Sequence, residues 1–369
     1  MSRFTLLPAC LIGLILSLTP AAASRSGTDG GRADPLLGVQ WYLRDASGTV
    51  PESGGIGAIM GWEHVKPAEP IVVALLDSGV NWTHPDLARN IWLNRGEAPS
   101  VRPGDDDDAD VPAGVRDLNG KDDDGNGYVD DIHGWDFASG DYNPNSETYG
   151  ENQDHGTAMA GLMAAIPSNG VGLAGVGRNI HVMPLRVVGD FKANPAHTIP
   201  EAIRYAIRNG ARVIVTGIVL ESSVNNRDFL DAIEECDRRG ILFIWAAGGI
   251  ENIDEKMRPL SRYGNVLIVG GSKRDGSLLD YGDACKMIQV AAPAVGLVTS
   301  CWGGYQDDFA GPCPASAIVA GAAATFLSQH PEFTPARVIE RIRRTSTPHR
   351  SMPGKISGGL LNLEALLRP

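Results

Sequence analysis

Three observations predict an α/β fold built on a mostly parallel central sheet with helices on both faces. Residues 71–76 are a continuous apolar run that stops at Asp77-Ser78-Gly79, the pattern of a strand buried on both faces. Runs of this kind alternate with amphipathic stretches of helical length, which parallel strands need as crossovers. Residues 315–327 are small and apolar on every face, and a helix without a polar stripe is buried rather than laid on a surface.

Taken in order, the chain opens with Arg3, an apolar run over 6–18 and Ala21-Ala22-Ala23, the layout of a cleavable secretory signal over residues 1–23. Residues 24–34 are rich in Gly, Ser and charge and read as a disordered lead-in. Order is expected from about Pro35. After the strand at 71–76, residues 99–136 form a long Asp- and Gly-rich insertion without helical periodicity. A helix is expected from about His155, a strand over 181–187, a helix over 200–208 closed by Gly210, and a strand over 213–219. A helix over 228–239 closed by Gly240 follows, then strands at 241–246 and 266–269. Thr334-Pro335 sets a cap and a first-turn proline for a last helix running to about Arg344. No repeat or linker divides the chain, so residues 35–369 read as one domain.

With 369 residues, 43% of them hydrophobic, the chain can bury one large core. A net charge of −12 without a basic cluster excludes a nucleic-acid partner. Once the signal is removed, no membrane segment is expected and the destination is secreted or periplasmic. Cys236, Cys285, Cys301 and Cys313 then remain, compatible with zero, one or two disulfides.

Three polar residues stand at element ends: Asp77 after a buried strand, His155 at a helix start, and Cys313 at the start of the all-apolar helix. Strand C-termini and the following helix N-termini share one edge of a parallel sheet, so the three are expected to converge. The carboxylate would orient the imidazole, the imidazole would take the nucleophile's proton, and helix N–H groups would hold an oxyanion.

Longer motifs surround these residues. Val73-Ala74-Leu75-Leu76-Asp77-Ser78-Gly79 followed by His84-Pro85-Asp86-Leu87, His155-Gly156-Thr157 with Ala160-Gly161, Val319-Ala320-Gly321-Ala322-Ala323-Ala324, and Gly358-Gly359 with Asn362 together resemble the subtilisin-like serine proteases, from about Pro35 to the C-terminus. The resemblance implies a subtilisin-like three-layer fold and an endopeptidase with the order Asp, His, nucleophile.

The chain departs from that family at defined places. Cys313 stands at the position of the family serine, and Ser316 lies a turn further into the helix. Gly249 replaces the Asn that supplies a side-chain donor to the oxyanion, and in subtilisin itself the loss of that donor lowers turnover roughly 10²- to 10³-fold. Val219 replaces a glycine where substrate backbone approaches. The stretch between the signal and Gln40 is short for a folded inhibitory propeptide. Three readings of Cys313 stand at this point. In the first, peptide hydrolysis is lost or strongly reduced and a peptide- or protein-binding role remains. In the second, Cys313 with His155 and Asp77 forms an active peptidase or acyl-transferase. In the third, a disulfide to Cys301 leaves a structural module.

In the insertion, Asp122, Asp124, Asn126, the Tyr128 carbonyl and Asp130 alternate as oxygen ligands around a glycine at the sixth position, the spacing of a calcium loop. His133 stands where the closing Glu would be, so Asp131 or Asp136 is expected to complete the shell. The ion would be structural, and no organic cofactor is expected.

Overall fold

The computed structural model describes residues 32–44, 54–99, 117–146, 154–189, 195–218, 223–248, 253–281 and 285–369. The segment read as an export signal, Val219 and Gly249 lie outside the described residues. Seven strands make one sheet: β1 (Ile71–Asp77), β2 (Trp135–Asp136), β3 (Ile180–Arg186), β4 (Val213–Thr216), β5 (Leu242–Ala246), β6 (Val266–Ser272) and β7 (Val290–Pro293). Their spatial order is β2-β3-β1-β4-β5-β6-β7, and every neighbouring pair is parallel. A separate antiparallel hairpin joins β8 (Leu297–Cys301) to β9 (Gly304–Phe309).

The helices are α1 (Ala58–Gly61), α2 (His155–Ala164), α3 (Pro195–Arg208), α4 (Arg227–Arg239), α5 (Ile253–Lys256), α6 (Pro312–Gln329), α7 (Pro335–Thr345) and α8 (Leu363–Leu367). Alternate residues of the strands feed two cores. Val73, Val213, Leu242 and Leu267 pack with α2, α6 and α7, whereas Ala74, Ile214, Phe243 and Ile268 pack with α3 and α4. As its composition predicts, α6 is buried from Pro314 to Ser328. A Cβ at Gly321 would lie 3.1 Å from both Gly177 N and Met163 O, so the glycine lets α6 close onto the chain around α2.

Differences from the expected boundaries have local causes. Order is already present at Arg32, which bridges Asn169, because the Asp34 carboxylate accepts the Ser168 and Asn169 amides at 2.8 and 3.1 Å. Helix α3 starts at Pro195 and carries Pro200 inside it. A proline there cannot donate to the carbonyl four residues back. The Ala196 carbonyl instead accepts Nδ2 of Asn226, the cap residue of α4, at 3.2 Å. Strand β4 ends at Thr216 because the Thr216 hydroxyl accepts the Ile218 amide and turns the chain. Thr334 precedes α7 in extended conformation, but its side chain makes no cap bond.

The hairpin is fastened to α2. The Thr299 hydroxyl donates to Ala158 O at 2.6 Å and the Ser300 hydroxyl to Thr157 O at 2.7 Å. These bonds fix the β8–β9 unit that feeds into α6, so the elements carrying the candidate site are braced against each other. Among the described residues, no helix is long and apolar enough to cross a membrane.

Candidate active site

Asp77 is the last residue of β1 and is fully buried. Its Oδ1 accepts the Ser78 amide at 2.7 Å and Nδ1 of His155 at 2.8 Å. Its Oδ2 has no hydrogen-bond partner. His155 is the first residue of α2, and the preceding Asp154 accepts the Trp302 amide at 2.7 Å, which ties the start of the helix to the hairpin turn.

Cys313 occupies the first turn of α6, after Gly311 with φ +135° and Pro312. Two prolines suit this turn because the first helical amides have no intrahelical acceptor. The thiol donates to Gly217 O at 2.9 Å, and a Cβ at Gly217 would lie 2.8 Å from Cε1 of His155, whose Nδ1 is committed to Asp77. Asp77 and His155, bonded to each other, and Cys313 are therefore gathered around Gly217. Ser316 is buried, and its hydroxyl donates back to Cys313 O at 2.7 Å. Cys301 and Cys313 are both free thiols, so the disulfide reading of Cys313 does not hold in this structure.

Burial of the His155 ring disfavours its cation, but the Asp77 charge and hydrogen bond, together with the Cys313 sulfur, outweigh it and raise the pKa well above the ordinary histidine value. The site thus favours an imidazolium beside the sulfur. An imidazolium there can supply a proton to a leaving group.

Two contributors have no signature in the sequence. Gly217 closes one side of the imidazole: a Cβ there would lie 2.8 Å from His155 Cε1 and 3.0 Å from Asp77 Oδ2. Phe309, buried at the end of β9, meets the His155 ring at 5.6 Å between centroids and 66° between planes. Neither lies near His155 along the chain, and only the crossover and the hairpin bring them there.

The acidic loop assembles differently around its own backbone. Asp122 accepts the amides of Asn126 and Gly127, and Asp130 accepts those of Asn119 and Gly120, so both brace turns. The Tyr128 ring packs edge-on against Trp135, Phe137 and Tyr205. Asp124 instead meets Glu97 and Asp131, with one oxygen of each within 4.8 Å of the others. Asn126 donates to both Asp124 and Asp131, and the Tyr205 hydroxyl donates to Asp131 at 2.5 Å. Burial pushes Glu97 up and Asp131 up to about 6, because the carboxylates share a poorly solvated space. Asp136, the other residue expected to close the shell, is held in a buried ion pair with Arg186. His133 stacks on Trp82 with ring centroids 4.4 Å apart. Glu97 lies outside the 99–136 insertion, which is why a motif read within the loop omits it.

A profile of the peptidase S8 (subtilase) family matches residues 69–358. The chain is 25% identical over 317 residues to "Subtilisin-like protease 1" of Plasmodium berghei, covering 79% of this chain and 48% of that protein. It is 26% identical over 268 residues to "Thermophilic serine proteinase" of Bacillus sp. strain AK1, covering 73% and 55% respectively. The chain thus spans about half the length of these curated relatives. A solved structure described as proteases from Pseudoalteromonas arctica superimposes with a TM-score of 0.63 at 23% identity, covering 91% of this chain and 98% of that one, which supports the fold. The sheet, the Asp77–His155 pair and the match over 69–358 agree, and the protein belongs to the subtilase family.

Proposed function

We propose that this is an exported subtilase whose Cys313 acts as a thiol nucleophile, accepting acyl groups from activated esters while its hydrolysis of peptide bonds is lost or strongly reduced. The observation that supports the reading is the Asp77–His155 bond standing against Gly217, whose carbonyl oxygen accepts the Cys313 thiol. In this mechanism the Cys313 proton passes to His155, and the sulfur attacks the ester carbonyl. The oxyanion forms at the N-terminus of α6, where free amides and the helix dipole favour negative charge. Collapse breaks the ester C–O bond, His155 returns its proton to the leaving oxygen, and an acyl thioester remains on Cys313.

Amide hydrolysis is harder for the same site. The thiolate is a better leaving group than an amine, so the tetrahedral species reverts more readily than it expels the amine. Gly249 brings no side-chain donor that could offset this by holding the oxyanion. Peptides or proteins are the ligand class that the family's cleft accommodates. Signal removal after residue 23 would deliver the protein to the secreted or periplasmic space.

A structural calcium ion suits Glu97, Asp124 and Asp131: hard oxygen donors converge, and a divalent cation would relieve the carboxylates that burial leaves raised. Its contribution would be to tie the acidic loop to Tyr205 of α3, leaving proton transfer to His155.

The reading is tested with an activated p-nitrophenyl ester and a chloromethylketone on the reduced protein. Acylation at Cys313, abolished by His155→Gln and accompanied by little or no casein cleavage, is the expected result. Absence of any labelling at Cys313 would leave a peptide-binding protein without catalysis. Efficient casein cleavage would refute the loss of amide hydrolysis.

A further inference from the structure

The His155 imidazole is held from several directions, and each contact has a different character. Asp77 of β1 binds Nδ1, and the Cys313 thiol of α6 donates to the carbonyl oxygen of Gly217 beside the ring. Just after β4, the Gly217 backbone approaches the ring, since a Cβ there would come within 2.8 Å of Cε1. The adjacent acid preceding α2, Asp154, accepts the Trp302 amide. Phe309 supplies an uncharged aromatic contact from β9.

We propose that Phe309 is a positioning residue: its buried ring confines the His155 imidazole so that its bond to Asp77 is kept beside the Cys313 thiol. This inference rests on the thiol-nucleophile reading above and adds the residue that keeps its base in register.

The geometry makes the restraint specific. A histidine on the first turn of a helix has two side-chain torsions free to swing its ring, and the Asp77 bond anchors one nitrogen only. Phe309 is 7% exposed, so it cannot yield easily toward solvent. Its hairpin is bolted to the helix that carries His155, through Thr299 to Ala158 O and Ser300 to Thr157 O. The restraining ring and the restrained ring thus move as one unit. Asp308, immediately before Phe309, adopts φ +61°, in a hairpin whose register shifts between Leu297 and Thr299. Such irregularities re-aim side chains at strand ends.

Without the ring, the imidazole is expected to leave Asp77 and Cys313 part of the time. Two readouts should then move together. The His155 titration midpoint should fall toward the ordinary histidine value, because the partner that favours its cation is intermittent. Alkylation of Cys313 near pH 6 should slow on the order of tenfold, since small misplacements of a catalytic pair carry large rate penalties.

The test compares the parent chain with Phe309→Leu, Phe309→Ala and Phe309→Tyr. His155 is followed by proton NMR, assigned with His155→Gln, and Cys313 is followed by iodoacetamide labelling and mass mapping across pH 5–9. Phe309→Leu keeps a buried apolar side chain and guards against simple unfolding, which near-UV circular dichroism would report. A lowered midpoint and slower labelling in the Leu and Ala variants, with both restored by Tyr, is the expected result. A folded Phe309→Leu protein with the parental midpoint and labelling profile overturns the inference. If parental Cys313 labelling ignores His155, the thiol-nucleophile reading fails, and the NMR midpoint alone still decides whether Phe309 restrains the ring.

Discussion

Gly156 sits directly against Gly79: a Cβ at Gly156 would lie 2.1 Å from the Gly79 carbonyl oxygen and 3.2 Å from Asp77 Cβ. The residue after His155 therefore has no room for a side chain, and this closeness lets the start of α2 press onto the end of β1 so that His155 reaches Asp77. Gly156→Ala should lower stability by about 1–3 kcal/mol, the range for overpacking a filled interior, and should abolish His155-dependent labelling of Cys313. Denaturant unfolding and labelling on the same sample provide the check. A variant with unchanged labelling would mean that the two elements can part without disturbing the pair.

Gly217→Ala places a methyl group 2.8 Å from His155 Cε1 and 3.0 Å from the unpartnered Asp77 Oδ2. Because Gly217 O also accepts the Cys313 thiol, the displacement acts on base and nucleophile together. Acylation by an activated ester should fall about tenfold or more, while the thermal midpoint changes little, and stopped-flow release of p-nitrophenol measures the first quantity directly.

The Asp77–His155 pair predicts a pH-dependent stability with a definite sign. The folded pKa of His155 is raised above its unfolded value, so the folded state binds the proton more tightly. The stabilisation is complete below the unfolded pKa near 6.5 and is lost progressively as pH rises through the raised folded value. Asp77→Asn should flatten this fall. Thermal midpoints between pH 6 and pH 9 for both proteins test it, and parallel curves would argue against the coupling.

Calcium should raise the thermal midpoint, and EDTA should lower it, with most of the change carried by Asp124 and Asp131. Asp124→Asn or Asp131→Asn should remove most of the calcium-dependent shift. Asp122→Asn should act even without calcium, because Asp122 braces the Asn126 and Gly127 amides. Differential scanning calorimetry at fixed calcium concentrations separates the two effects.

Much of the architecture was legible because its signals are local. The burial of α6 follows from 315–327 being apolar on every face, and the end of α4 follows from Gly240, which caps it at φ +69°. Strand β1 and its terminal Asp77 follow from an apolar run stopped by a turn sequence. Other boundaries escaped because their causes are distant in the chain. Pro200 looks like a helix start until Asn226 is seen taking the carbonyl it frees. Residues 32–34 look disordered until Asp34 is seen capping the turn at Ser168 and Asn169.

The sequence by itself determined the parallel α/β class and the family, and it singled out Asp77, His155 and Cys313 as candidates, since each is written in contiguous residues and their periodicity. Tertiary structure alone decided that Cys313 and Cys301 are free thiols rather than a disulfide, that Glu97 joins Asp124 and Asp131, and that Gly217 and Phe309 enclose the imidazole. These are distances between segments far apart in the chain. Packing of crossovers and hairpins sets such distances, and local propensity carries no record of them.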